Sequence, residues 1–191
     1  MKMRITELLD KRSIALDGAP KNKSEALDQV VELMIKSGKI RDKEAYRAQV
    51  YEREEESTTG IGEGIAIPHG RGDSVIRPGL AAMVVRDGVD FDSLDGEKVT
   101  LIFLIAAPNT KDNVHLDVLS KLSVLMMDET FSNNLRNAKS VDEFLAIIDK
   151  ADEEQESIDE RLAGTGAAVS GQARILAVTS CPTGIAHTYM A

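Results

Sequence analysis

A single cysteine, no tryptophan and only three histidines stand among 191 residues. One thiol, Cys181, closes no internal disulfide, and without C-x-x-C or H-x-x-x-H spacing the chain lacks the ligand set of a zinc site. Basic residues are also short: 23 Lys and Arg face 32 Asp and Glu, a net charge of −9. That balance argues against nucleic acid as a partner, because binding its backbone takes clustered cations that displace counterions. Long apolar runs are missing too. The longest, residues 101–107, stops at Pro108, far short of the roughly 20 residues that span a bilayer. The first ten residues mix charges where a signal peptide needs an unbroken apolar stretch. Together these absences lead to the expectation of a cytosolic chain.

What is present suits a globular fold. Apolar residues make up 42% and charged residues 29%, with aromatics at only 4%, so the core must be mainly aliphatic. The length allows one full domain and a tail. Residues 24–37 carry Ala26, Val30, Leu33 and Met34 at helical spacing, with Ser24 as N-cap and Gly38 as terminator. Residues 42–56 predict a second helix, capped by Asp42, with an acidic exposed face that includes Glu52, Glu54 and Glu55 and with Arg53 near its end. Short apolar segments at 65–67, 80–86 and 99–107, each bounded by Gly, Pro or Asp, read as buried strands. Residues 113–127 form an amphipathic helix with His115, Leu119, Leu122 and Met126 on one face. Shorter helices are expected at 129–137 and 140–150. The fold class is therefore α/β, a mixed β-sheet flanked by helices.

Composition changes at residue 151. Residues 151–171 hold six acids against one Arg and then turn to small residues, the signature of a flexible tether. The reading is a domain over 1–150, a linker over 151–172 and the opening of a second domain over 173–191.

Two histidines sit where chemistry wants them. His69 follows Pro68 and precedes Gly70, which places an imidazole at a strand end beside a sharp turn; a solvent-facing loop histidine is the alternative. The glycines at 60, 62 and 64 fit neither nucleotide motif, because the order is helix, glycines, strand and no Gly-Lys-Ser/Thr follows. They make either a nest of N–H groups able to hold a phosphoryl group near His69 or a simple turn. His115 lies in the first turn of its helix, where the helix N-terminus favours a neutral ring and a nearby phosphate; the other reading is a satisfied core histidine. Arg53 supplies a cation and a fork of donors if it faces the same cleft, or is a surface arginine among glutamates. Cys181 opens a loop of hydroxyls and N–H groups after an apolar strand, either a nucleophilic thiolate in a phosphate cradle or a buried structural cysteine. A phosphatase loop needs Arg six residues after the cysteine, and His187 stands there.

The run Gly60-Ile61-Gly62-Glu63-Gly64-Ile65-Ala66-Ile67-Pro68-His69-Gly70 resembles the phosphorylation-site motif of the fructose/mannitol-type enzyme IIA of the bacterial phosphoenolpyruvate-dependent sugar phosphotransferase system. His115-Leu116-Asp117-Val118-Leu119-Ser120-Lys121-Leu122 is similar to that family's second element. The tail from Val178 through Cys181-Pro182-Thr183-Gly184 to Thr188 resembles the start of a fructose-type enzyme IIB domain. The resemblance implies a phosphotransferase in which His69 accepts a phosphoryl group from a phosphohistidine carrier protein and passes it to the IIB cysteine, here Cys181. The cysteine then donates it to fructose or a related sugar carried by a membrane IIC domain. The resemblance further implies that Arg53 and His115 stabilise the phosphoryl group and that no cofactor or metal is needed. A regulatory module, signalling through the phosphorylation state of His69, is the alternative.

Overall fold

The computed structural model describes residues 4–109 and 114–164, with the side chains of 114–119 and 159–164 left aside. The chain divides into a unit of residues 1–156 and a second from residue 157.

A short helix α1 (Ile5–Leu8) runs directly into β1 (Leu9–Ala15), followed by α2 (Lys23–Lys36) and α3 (Lys43–Glu56). The cap of α3 is the expected one, with the Asp42 carboxylate accepting from the Ala45 amide at 3.0 Å. The cap of α2 is Asn22 and not Ser24, its side chain accepting from Glu25 N–H at 2.9 Å. Asn22 holds the extended backbone an N-cap requires, while the Ser24 hydroxyl lies 2.9 Å from the Tyr51 hydroxyl. Gly38, at φ +72°, ends α2 as expected.

Among the described residues, six strands form one sheet. After α3 come β2 (Gly60–Gly62), β3 (Ile65–Ala66), β4 (His69–Gly72), β5 (Gly79–Val89) and β6 (Val99–Pro108). β5 and β6 pair antiparallel at the centre, β1 lies parallel to β5 on one side, and β3 and β4 both lie parallel to β6 on the other, with β2 antiparallel to β3. The sheet is mixed, as expected. α1, β1, β2 and β4 have no counterpart in the sequence reading. β1 carries Asp10, Lys11 and Arg12 in a row on an edge strand, so no apolar alternation announces it.

Helices cover both faces. Leu101, Phe103 and Ile105 of β6 cluster with Leu122 of α4 (Val114–Met126), Phe131 and Leu135 of α5 (Glu129–Asn137) and Phe144 and Ile148 of α6 (Val141–Gly164). Ile102, Leu104 and Ala106, pointing the opposite way, cluster with Leu27, Val30 and Met34 of α2 and Tyr46 and Val50 of α3. Each of the larger aliphatic and phenyl side chains contributes about 1.5–3 kcal/mol by leaving water, and burial on both faces is why β6 is a continuous apolar run and not an alternating one.

The last helix departs from expectation: α6 does not stop at 150 but continues to Gly164. Cations from distant elements neutralise one face of the acidic run. Asp152 is buried, accepts from Ile5 N–H at 2.9 Å and pairs with Lys121 at 3.0 Å. Arg4 reaches Asp149 at 3.3 Å and Glu153 at 3.2 Å. The first residues assigned to the linker therefore belong to a helix packed on the first unit, and the boundary drawn at 150 falls inside it. The remainder of the expected linker and the 173–191 segment, Cys181 included, lie outside the described residues.

Candidate functional site

β3 and β4 are two pieces of one strand. Ile65 pairs with Leu101 and Ala66 with Ile102; after the break, His69 pairs with Ile105 and Gly72 with Pro108, in the same register. The gap is Ile67-Pro68, and its cause is local: proline has no N–H for the ladder. Ile67 N–H turns to the Thr59 carbonyl at 3.0 Å, while the Pro68 carbonyl still accepts from Ile105 N–H at 3.0 Å. His69 is the residue at which the ladder resumes.

α3 is laid across β4 by glycines. A Cβ on Gly70 would stand 2.8 Å from the Tyr46 ring and 2.9 Å from Val50, and one on Gly72 would meet the Gln49 side chain. Neither glycine has a positive φ, so what each provides is space. Tyr46, wholly buried, donates from its hydroxyl to the Ile105 carbonyl at 3.0 Å. Burial pushes that phenol well above its ordinary pKa, so the hydroxyl remains a donor and fastens the helix to the strand beside His69.

Two turns along the same face, Arg53 reaches His69. Its Nε donates to His69 Nε2 at 3.1 Å, and its Nη1 donates to the Ser57 carbonyl and hydroxyl, both at 3.2 Å. Arg53 therefore faces the histidine and not solvent alone. A guanidinium only donates, so Nε2 presents its lone pair and the ring proton resides on Nδ1. Nδ1 in turn lies 3.3 Å from the Ile67 carbonyl, the acceptor left by the strand break.

The glycine-rich run serves another purpose than the nest considered from sequence. Gly62 pairs with Ile65 across the two-residue turn Glu63-Gly64, and both turn residues have positive φ, 55° and 73°, as a tight hairpin connection requires. Three of its polar groups are engaged elsewhere: Gly60 N–H with the Thr58 hydroxyl at 3.1 Å, Glu63 N–H with Asp95 at 2.7 Å and the Glu63 carbonyl with Arg136 at 2.6 Å. The hairpin also sits four residues up the interrupted strand from His69, roughly 13 Å away.

Glu54 is a second correction. It is not on an exposed face but buried, accepting from the Thr59 amide at 2.9 Å and the Thr59 hydroxyl at 2.5 Å and pairing with Lys23 at 2.9 Å. The signal was in the spacing: Tyr46, Val50, Arg53 and Glu54 form one stripe at i, i+4, i+7 and i+8. His115 is the second residue of α4, in the first turn as expected; its side chain lies outside the described residues.

Residues 7–151 match the family of the phosphoenolpyruvate-dependent sugar phosphotransferase system, EIIA 2. The chain belongs to that family. EIIA components are phosphotransferases that work through a phosphohistidine. This EIIA chain is 47% identical over 189 residues to the PTS system fructose-specific EIIABC component of Bacillus subtilis, an alignment covering 99% of the chain and 30% of that protein. The chain thus spans less than a third of that relative's length. Its fold is similar to that of the nitrogen regulatory protein IIA-Ntr from Neisseria meningitidis, with TM-score 0.69 and 31% identity over 75% of this chain and 98% of that one. It is also similar to enzyme IIA of the Escherichia coli mannitol system, solved in complex with its phosphorylated enzyme IIB, with TM-score 0.65 and 29% identity over 73% of this chain and 96% of that one. Among the described residues of the EIIA chain, no helix is long and apolar enough to cross a membrane.

Proposed function

We propose that His69 is the phosphoryl acceptor of a fructose-type relay. In this reading Nε2 attacks the phosphorus held by a phosphohistidine carrier protein; the P–N bond to the carrier breaks as the P–Nε2 bond forms. The observation that carries the reading is the 3.1 Å contact between Arg53 Nε and His69 Nε2. Before transfer the guanidinium covers the lone pair. When the phosphoryl group arrives, its anionic oxygens are the stronger acceptors and take over the fork of donors, placing positive charge where negative charge is carried. Phosphoryl transfer asks for little beyond this positioning and electrostatic support.

The Nδ1 proton stays in place throughout. As Nε2 bonds to phosphorus the ring gains positive charge, and the bond from Nδ1–H to the Ile67 carbonyl strengthens. In the next step the ring leaves as a neutral imidazole, still protonated on Nδ1, when a cysteine thiolate attacks the phosphorus. The Cys181 motif supplies that thiolate in an enzyme IIB domain, and the sugar receives the group through a membrane IIC domain, so the complete protein is membrane-associated. Fructose is favoured by the Cys181 segment and by the name of the 47% identical relative. His115, placed in the first turn of α4, is the second phosphoryl-stabilising group. The tether beyond the first unit makes the step to IIB intramolecular, at about millimolar effective concentration.

The similarity to IIA-Ntr favours a second reading, a regulator that signals through phospho-His69. The alignment over 99% of the chain to an EIIABC protein favours the relay. Intact-mass analysis after incubation with phosphoenolpyruvate, enzyme I and the carrier protein tests it. One acid-labile phosphoryl adduct on the parent and none on His69→Ala is the expected result; no adduct on either refutes the reading.

A further inference from the structure

Arg53 and Glu54 are neighbours on α3, and the two ring nitrogens of His69 trace back to one each. Arg53 touches Nε2 directly. From Nδ1 a chain of hydrogen bonds leads inward: to the Ile67 carbonyl at 3.3 Å, from Ile67 N–H to the Thr59 carbonyl at 3.0 Å, and from the Thr59 amide and hydroxyl to the Glu54 carboxylate at 2.9 and 2.5 Å. The chain reaches Lys23, whose ammonium lies 2.9 Å from the same carboxylate, 3.5 Å from Asp92 and 5.1 Å from the centre of the Phe91 ring.

We infer that Glu54 is a positioning residue for the relay, holding the Ile67 carbonyl where it keeps the His69 proton on Nδ1 and the attacking lone pair on Nε2. The inference rests on the relay reading for its purpose, though not for its geometry. Three observations carry it. The carboxylate is buried, with only 5% of its side chain exposed, and a buried charge is retained only with partners that satisfy it. Its partners are an ammonium and two donors of the one residue, Thr59, that leads from α3 into the hairpin and receives Ile67 N–H. The Ile67 carbonyl, for its part, sits in a peptide whose nitrogen is proline's and has no N–H of its own to pair; the Pro68 carbonyl anchors it from one side through Ile105 N–H, and the bond from Ile67 N–H to Thr59 anchors it from the other.

Each link passes through a Cα atom and not through one conjugated peptide unit, so the influence is mechanical. Loosening Thr59 moves the Ile67 carbonyl, and only the Arg53 contact at Nε2 then holds the ring proton on Nδ1. A free histidine side chain prefers the proton on Nε2, the arrangement in which the attacking nitrogen has no lone pair to offer.

The test compares the parent with Glu54→Gln and Thr59→Val. Ring-nitrogen chemical shifts of His69 report the tautomer without any phosphoryl transfer, and backbone amide spectra report the fold. The parent is expected to hold the proton on Nδ1 almost entirely. In Glu54→Gln, where a donor amide faces Thr59 and Lys23, the Nε2–H tautomer rises to a substantial fraction. Thr59→Val, which loses one of the two bonds, moves the same way by less. In transfer from the carrier, Glu54→Gln lowers kcat roughly tenfold while leaving KM for the carrier within about twofold. A parental tautomer in both variants, with either one folded, overturns the inference even if His69 is phosphorylated normally. A shifted tautomer in a chain that takes up no phosphoryl group upholds the positioning and refutes the relay reading instead.

Discussion

The two ends of the strand interrupted at Ile67-Pro68 use glycine for opposite reasons. At the hairpin end, Gly62 and Gly64 adopt φ of 105° and 73°, conformations that a side chain strains, and surrounding groups pin the turn: Asp95 from one side, Arg136 from the other. At the β4 end, Gly70 and Gly72 have ordinary backbone angles, and what matters is the room they leave for α3. One end is a fixed corner, the other a docking surface that delivers a cation to a histidine. A glycine-rich motif next to a reactive residue therefore need not touch the ligand. Here the N–H groups of Gly60 and Glu63 bond to neighbouring side chains, and the Arg53 donor that meets His69 comes from the helix.

That contrast can be broken most visibly at Arg53. Arg53→Met is expected to lower the rate of phosphoryl uptake about a hundredfold, the loss typical of one preorganised donor. It should change stability by less than about 0.5 kcal/mol, since the side chain is partly exposed and the rest of α3 remains docked. Rapid-quench kinetics beside urea denaturation check both. A fall in stability with unchanged rate would make Arg53 a structural residue.

Gly70→Val attacks the docking surface itself. The new side chain displaces Tyr46 and Val50, so stability should drop by about 1–3 kcal/mol and uptake by at least roughly tenfold as Arg53 is carried away from the ring. Gly64→Ala makes the matching change in the corner. Positive φ and a Cβ 3.0 Å from the Thr100 hydroxyl predict about 1–2 kcal/mol of destabilisation, with the uptake rate unchanged within about twofold. Equal effects of the two glycine variants on rate would erase the distinction between corner and docking surface.

The smallest expected effect is the pH response of the corner. Hydrogen bonds from the Glu97 and Glu63 amides hold Asp95 below its ordinary pKa. A carboxylate depressed in the folded state stabilises fully above its unfolded value of roughly 3.9 and loses that contribution as pH falls through the lower folded value. The Glu63 amide resonance should therefore titrate below the usual carboxylate range and stop doing so in Asp95→Asn. A midpoint at or above the ordinary value would contradict the pinned corner.

Much of this arrangement was legible in the residues. The apolar segments at 80–86 and 99–107 found the two central strands because strands covered on both faces must be apolar throughout. Pro68 pointed to a strand end and a sharp turn at His69, whereas the strand resumes there and Gly70 and Gly72 continue it. Arg53 was ambiguous because the charge pattern around it is that of a solvated surface; the stripe through Tyr46 and Val50 resolves it only once glycines 70 and 72 are known to lie under that face. Glu54 was misread for the same reason. β1 and the second half of α6 were illegible because long-range partners make them: a neighbouring strand for β1, and Lys121, Arg4 and the Ile5 amide for the acids of α6. Composition cannot reveal such partners.

The proposed relay depends on which nitrogen of His69 is reactive. Phosphorylating the chain with phosphoenolpyruvate, enzyme I and the carrier protein, and recording phosphorus–nitrogen and proton–nitrogen correlations on the histidine ring, reads this directly. The geometry predicts phosphorus bonded to Nε2, the nitrogen that Arg53 faces. Phosphorus on Nδ1, or on another residue, would contradict it.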